Sequence, residues 1–355
     1  MDADILIVGG GLAGLAIAAH LSHSGHDFQL VEARHRLGGR IKTEAVDSAA
    51  FDMGPAWYWR GQPRVAALVQ SLGLAPFEQQ YQGLSAFEDE TGRVQRGRGF
   101  ASMQGSYRIA GGMATLTGGL AAMIADDRTH LGTSVTALDR KPGGVLATLS
   151  TGQRCAARQV ILALPPRLAV DRIRFTPNLP EHQLRAMRET ATWMAGQAKG
   201  VAVYDRPFWR EAGLSGDASS RCGPMIEVHD ASPAEDGPYA LFGFIGLPVI
   251  ARRDPERLTA DILTQLGRLF GPEAAVPRQI FLKDWALDHW TATGLDHAPL
   301  YAHPDYGRSH KLAGAWEDVL VLSGTETAPQ FGGYLEGALE AAENTLKHID
   351  IRYER

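Results

Sequence analysis

Three glycines between an apolar run and a helical stretch carry the first chemistry legible in this chain. Gly9, Gly11 and Gly14 hold the G-x-G-x-x-G positions of Gly9-Gly10-Gly11-Leu12-Ala13-Gly14. Gly9 permits a tight turn, Gly11 admits a pyrophosphate to the backbone, and Gly14 lets a helix lie close on a strand. The N-terminal N–H groups of the helix that follows then face that phosphate, and Leu12 and Ala13, between the glycines, are counted with them as cofactor-binding. Glu32 supplies the matching acid, a carboxylate able to accept from both hydroxyls of a ribose. A second glycine pair with cations follows at once in Glu32-Ala33-Arg34-His35-Arg36-Leu37-Gly38-Gly39-Arg40. Gly38 and Gly39 suit another backbone approach to the same diphosphate, and Arg40 adds charge that a nicotinamide-binding fold does not need there.

The elements that position these residues can be read around them. Residues 5–8 are a continuous apolar run, as expected of a parallel strand buried on both faces. Residues 15–24 continue as a helix ended by Gly25, and residues 28–31 form the second strand, closed by Glu32. The order strand, glycines, helix, strand, acid predicts an α/β protein with a Rossmann-type dinucleotide domain.

Composition narrows the classes of function. The chain has 355 residues, 45% hydrophobic and 21% charged, with a net charge of −5. That is an ordinary globular make-up without a long basic run, so nucleic acid is not an expected partner. Cys155 and Cys222 lie in no metal-ligand or C-x-x-C spacing and read as reduced thiols of a cytoplasmic protein. The apolar run at the start follows Asp2 and Asp4 rather than basic residues, so it is not read as a signal peptide. Other apolar runs are strand-sized and residues 350–355 are polar, so no membrane segment is expected.

The segment from Glu32 to Arg40 resembles the flavin-containing amine oxidase family, which includes monoamine and polyamine oxidases and carries an EAR-x-R-x-GGR segment at this place. The resemblance implies FAD as the cofactor, and it reaches along the whole chain. Asp52-Met53-Gly54-Pro55-Ala56-Trp57 is similar to a turn passing the flavin ring, with Pro55 where the second glycine usually stands. Trp57, first of an aromatic triplet, then lies beside the ring. Val135 falls where the family packs a side chain against the adenine. Lys199 precedes Pro207-Phe208-Trp209 as does the lysine that the family places under the flavin, holding a water near N5. Trp285 matches a flavin-contacting tryptophan. Gly324-Thr325-Glu326-Thr327-Ala328 and Gly332-Gly333-Tyr334-Leu335-Glu336-Gly337-Ala338 resemble the monoamine oxidase segments GTETA and GYMEGA. Tyr334 thereby falls on one wall of the aromatic cage that guides the amine.

Two departures stand out. The register puts Gly294 where monoamine oxidases carry the flavin-linking cysteine and Leu295 where they carry the other cage tyrosine. The expectation is therefore noncovalent FAD and a cage at most half present, with Trp57 or Trp290 as alternatives for the missing wall. The chain is also shorter than is typical of the family, so the site is smaller, more open, or completed by a second subunit of a homo-oligomer.

Further expected elements are a polar strand at 43–51, helices at 64–73 and 113–125, a hairpin at 84–87 and 94–98, and strands at 130–138, 144–149 and 158–164. A mainly antiparallel second sheet takes residues 197–204, 225–229 and 240–247, and residues 280–285 are a strand pointing back to the cofactor. Helices at 180–192, 257–270 and 334–348 complete the pattern. The resulting division gives FAD-binding segments 1–75, 105–170 and 295–355, with substrate segments 76–104 and 171–294. The implied activity is oxidation of a small amine with molecular oxygen as acceptor, Lys199 and Tyr334 serving the reaction. Two alternatives remain: oxidation of a non-amine substrate, as in renalase-like or protoporphyrinogen oxidase-like enzymes, and flavin binding without turnover.

Overall fold

The run at residues 5–8 forms the inner part of β1 (Asp2–Val8), where Ile5, Leu6 and Ile7 are fully buried. It is buried because a strand lies on each side: β2 (Phe28–Val31) and Arg154–Leu162 both pair with it in parallel. The helix between them, α1 (Leu12–His23), begins at Gly11 without a side-chain cap. A Cβ on Gly14 would stand 2.0 Å from the Gly9 carbonyl oxygen, so only glycine lets α1 approach β1 this closely. Gly25, at φ 75°, turns the chain out of α1.

The structure, a computed structural model, describes residues 2–99, 101–298, 300, 302–306, 312–317 and 319–353; residues 354 and 355 of the polar end lie outside it. Among the described residues the first sheet has eight strands. Thr129–His130, β2, β1 and Arg154–Leu162 run in order, and Leu320–Leu322 adds in parallel to the last of these. Gly144–Leu149, Val135–Lys141 and Arg174–Thr176 extend the other edge. The helix Leu335–Tyr353 packs on α1.

The second sheet runs Gln279–Asp284, Ala198–Tyr204, Tyr239–Ile245, Met225–Asp230, Leu214–Ser220, Leu84–Glu88, Val94–Gly97. Its alternation separates two environments. Ala198, Ala202 and Tyr204 face Leu258, Ile262, Leu266 and Leu269 of the helix Pro255–Phe270, while Val201 and Val203 face Phe51, Met53 and Trp57. Lys199 shares the second face, and its cross-strand neighbours are Lys283 and Phe244, with Glu227 opposite Phe244. Among the described residues no helix is long and apolar enough to cross a membrane.

Several elements differ from the sequence-based expectation. Residues 43–51 are not one strand but a hairpin of Thr43–Val46 and Ala49–Asp52, turned at Asp47 with φ 51°. Residues 130–138 are broken at Gly132 into a short strand beside β2 and the longer Val135–Lys141. The strand Leu214–Ser220 has Leu214 as its one large apolar side chain in seven residues, with only Ala218 beside it, so its sequence gives little signal. That strand joins the hairpin at 84–97 to the second sheet through a parallel pairing.

Candidate active site

One cavity of about 440 Å³ connects the glycine turns to Lys199. At its first end the two glycine turns are knitted together. Gly38 N–H donates to the Gly10 carbonyl at 2.8 Å, and a Cβ on Gly39 would stand 3.2 Å from the Gly11 Cα. Glu32, only 4% exposed, accepts from Gly10 N–H at 2.8 Å with Oε2 and from Arg34 N–H at 2.9 Å with Oε1. Its carboxylate thus fixes the turn while bordering the cavity, with lone pairs left for further donors. Arg34 donates to Asp288 at 2.5 Å and to Thr291 at 2.8 Å, tying the loop after Trp285 to the glycine turn. Burial alone would raise the Asp288 pKa, but Lys283 and Arg34 outweigh it and hold the carboxyl below its ordinary value. Arg36 bonds the carbonyls of Leu37, Gly39 and Ile41, and Arg40 donates to the buried Glu326 at 2.6 Å.

These donors and acceptors suit a flavin dinucleotide. Helix α1 has an uncapped start, Leu12 and Ala13 border the cavity, and the first bond into the helix runs from Leu15 N–H to the Gly11 carbonyl. The earlier N–H groups are left for a diphosphate, with Arg40 beside it. Glu32, Thr133 and Val135 border the same end of the cavity.

At the other end Lys199 is 3% exposed and donates to the Gly54 carbonyl at 3.2 Å. Its nitrogen lies 4.0 Å from the Phe242 ring centroid and 5.7 Å from that of Trp57. Burial pushes the ammonium down to about 7, opposed by the Asp52 carboxylate and assisted by Arg108. Asp52 is itself pushed up by burial, against the bonds it accepts from Thr43 and Met113 and the nearby Lys199 charge. Trp285 donates to the Met53 carbonyl at 2.9 Å, which holds its indole against the turn containing Gly54 and Pro55. Trp57 donates to Gln79 at 2.9 Å and packs on Phe242 and on the edge of His229. Burial would lower the His229 pKa, but Asp217 at 2.8 Å and Glu227 at 2.9 Å outweigh it and raise it. Among the described residues no cluster of three or more His, Cys, Asp or Glu could hold a metal.

The cavity brings together most residues singled out from sequence: Gly9, Gly11, Leu12, Ala13, Glu32, Ala33, Arg34, Gly38, Gly39, Arg40, Gly54, Pro55, Trp57, Val135, Lys199, Trp285, Thr325, Gly333, Tyr334 and Leu335. Four others stand behind its wall. Gly14 packs on Gly9, Ala56 is a core residue, Gly324 lies against the Leu164 carbonyl, and Glu326 is a fully buried counter-charge for Arg40. Leu295, at the position of the family's other cage tyrosine, does not line the cavity. Thr293 and Asp296 form a capping box that starts a short 3-10 turn, Gly294–His297. Leu295 is left 61% exposed, away from the cavity. Trp193, Met194, Trp59, Met103 and Phe244 also border the cavity, as does Trp290. Behind Tyr334, His303 stacks at 4.9 Å between centroids and 3° between planes. Trp193 and Met194 were within sight just upstream of Lys199, but an aromatic residue in an irregular segment is core by default, and no motif marks His303.

A family model described as flavin containing amine oxidoreductase matches residues 12–99 and 95–345. A probable flavin-containing monoamine oxidase A of Dictyostelium discoideum is 23% identical, covering 98% of this chain and 97% of the relative. The putrescine oxidase of Kocuria rosea is 25% identical over 82% of this chain and 84% of its own. A solved putrescine oxidase variant superposes with a TM-score of 0.83 at 23% identity, covering 99% of both chains. Cyclohexylamine oxidase from Brevibacterium oxydans does so at 0.82 and 20% identity over the full length of both. The alignment with the Dictyostelium relative runs over 456 positions, so that relative is longer by internal insertions.

Proposed function

Since the chain belongs to the flavin containing amine oxidoreductase family, we propose that it oxidises a small amine at the Lys199 end of this cavity, using FAD held without a covalent bond. It is an enzyme of the FAD-dependent oxidoreductase class. Bound FAD would supply the electron acceptor, taking a hydride equivalent from the carbon next to nitrogen at N5, so that water hydrolyses the resulting imine and dioxygen carries the electrons away as peroxide.

The chain's own residues do the rest. Gly11, Leu12, Ala13 and Arg40 would hold the diphosphate, Glu32 a ribose, and Trp285 with Gly54 and Pro55 the ring edge. Trp57, Phe244 and Tyr334 give the amine's approach an apolar wall that excludes water and favours the neutral amine, the form with a free lone pair. Lys199 offers Nζ as a group able to hold or release a proton near pH 7, because burial has lowered its pKa into that range.

The observation that carries this reading is the continuity of one cavity from the Gly11 cradle to a buried lysine and Tyr334. Binding alone needs neither of the last two. With this proposal go the division of the chain into FAD-binding segments 1–75, 105–170 and 295–355 and substrate segments 76–104 and 171–294, and a cytoplasmic location suited to two free thiols. Aerobic incubation with a primary amine tests it, with equal amounts of aldehyde and peroxide expected. Electrons passing only to an artificial dye would remove oxygen from the proposal, and no aldehyde from any amine would remove amine oxidation.

A further inference from the structure

The Lys199 end of the cavity is poor in charge. Among the described residues that border the cavity, Glu32 is the one carboxylate, and it sits at the opposite end with each oxygen accepting a backbone N–H. Glu227 and Asp217, on the sheet face shared with Phe244, are both engaged by His229. A second ammonium on the substrate would therefore meet no free counter-charge here. The cations are committed in the same way. Arg34 and Arg40 are paired with Asp288 and Glu326. Arg172 ends the helix Pro166–Arg172 and pairs with Asp171 at 3.2 Å, and the next residue, Ile173, packs with Val31 and Val135 at the nucleotide end. Arg108, whose charge reaches Lys199, donates to the Ser232 and Ala231 carbonyls and does not border the cavity, so among the described residues no guanidinium there is open to a substrate carboxylate.

The wall itself is aromatic and firmly built. Trp193 N–H donates to the Tyr306 hydroxyl at 3.0 Å, and that hydroxyl donates to the Ala191 carbonyl at 2.7 Å. A Cβ on Gly333 would stand 2.9 Å from the Trp193 Cβ, so Trp193 packs directly over the glycine before Tyr334. His303 touches both walls, edge-on to Trp193 at 4.9 Å and stacked on Tyr334. Met194, beside it in the cavity, is held at φ 62°, a conformation that persists only where surroundings enforce it.

We propose that this end of the cavity accepts an amine carried on one uncharged, ring-sized apolar group, and that Trp193 is the wall that selects it. The proposal rests on the amine-oxidising reading above. A diamine would bury its second ammonium with no carboxylate among the described lining residues at this end, and an amino acid's carboxylate would have only Lys199, already bonded to the Gly54 carbonyl. Trp193 acts on selectivity through area and shape, Tyr334 forming the other wall with His303 as its backing.

The test uses the FAD-loaded protein mixed without oxygen with benzylamine, butylamine, 1,4-diaminobutane or L-phenylalanine, following loss of flavin colour. Benzylamine should act at least about a hundredfold faster than the diamine or the amino acid, the scale of one unpaired buried charge. In Trp193→Ala the ratio of benzylamine to butylamine rates should fall by about tenfold, and Trp193→Phe should keep it within about threefold, the scale of one aromatic contact. Trp193→Leu, with the same expectation, replaces the alanine variant if that protein does not retain FAD. Calorimetric binding of benzyl alcohol, which is not an amine, gives a readout apart from turnover and should weaken about tenfold in the same variant. A diamine or amino acid as fast as benzylamine, or an unchanged ratio and unchanged binding without Trp193, overturns the proposal. If no amine discharges the colour, the amine-oxidising reading fails first and takes this one with it.

Discussion

Lys199 donates from Nζ to the carbonyl oxygen of Gly54 at 3.2 Å, joining the strand Ala198–Tyr204 of the second sheet to the turn that follows the hairpin strand Ala49–Asp52. Two segments far apart in sequence thereby meet at one wall of the cavity. The lysine stands over Phe242 and near Trp57, so its nitrogen is set against an aromatic surround.

Replacing that lysine tests its role directly. Lys199→Met keeps length and packing while removing the proton and the bond to Gly54. Flavin reduction or reoxidation should slow by roughly ten- to a thousandfold, the range for losing one electrostatic contact at a reacting centre. Rapid-mixing measurements of the two half-reactions decide it, and wild-type speed in both would remove Lys199 from the machinery.

The pKa of about 7 has two consequences. The rate of the half-reaction that Lys199 serves should titrate near pH 7, and the Lys199→Met variant should lose that inflection. Stability of the apoprotein should carry the same signature. Between about 7 and the ordinary 10.5 the unfolded chain holds a proton that the folded chain has released, so this residue's contribution makes stability rise with pH across that window. Denaturant titrations at several pH values check it, and a Lys199→Met protein with an unchanged pH slope contradicts it.

Glu32 should matter twice, since it holds the glycine turn and is the residue proposed to meet the ribose. Glu32→Ala should weaken FAD binding by about 1.5–3 kcal/mol, the scale of hydrogen bonds to a charged group. Glu32→Gln retains one acceptor oxygen and should lose less. Titration calorimetry that finds equal affinity in both variants and the wild type would show the ribose to lie elsewhere.

The flavin should come away whole. Gly294 offers no nucleophile, Cys155 is fully buried in the strand Arg154–Leu162, and neither it nor Cys222 borders the cavity. Acid precipitation should leave all the yellow colour in the supernatant, and colour in the pellet would be the contrary result.

The nucleotide end was legible because its physics is local. Gly9, Gly11, Gly14 and Glu32 work through backbone turns and a helix start, all within about thirty residues of one another, so their spacing alone carries the geometry. Lys199 and Tyr334 were found only through family resemblance, since nothing in a lone lysine's sequence neighbourhood states that it is buried. The second wall was not legible at all. It depends on Tyr306 and His303 reaching Trp193 and Tyr334 across long separations, and on a Thr293–Asp296 capping box that turns Leu295 outward. Leu214–Ser220 stayed hidden for a similar reason, its strand being fixed by pairing with Leu84–Glu88 rather than by apolar alternation.

The central claim is that an amine gives its electrons to the flavin within this cavity. One anaerobic mixing of the FAD-loaded protein with excess benzylamine tests it most directly. The account predicts that the yellow absorbance falls in a single turnover, with one equivalent of benzaldehyde per flavin after hydrolysis. A flavin that keeps its full colour with benzylamine and with every other amine tried, yet is discharged by a non-amine substrate, would contradict it.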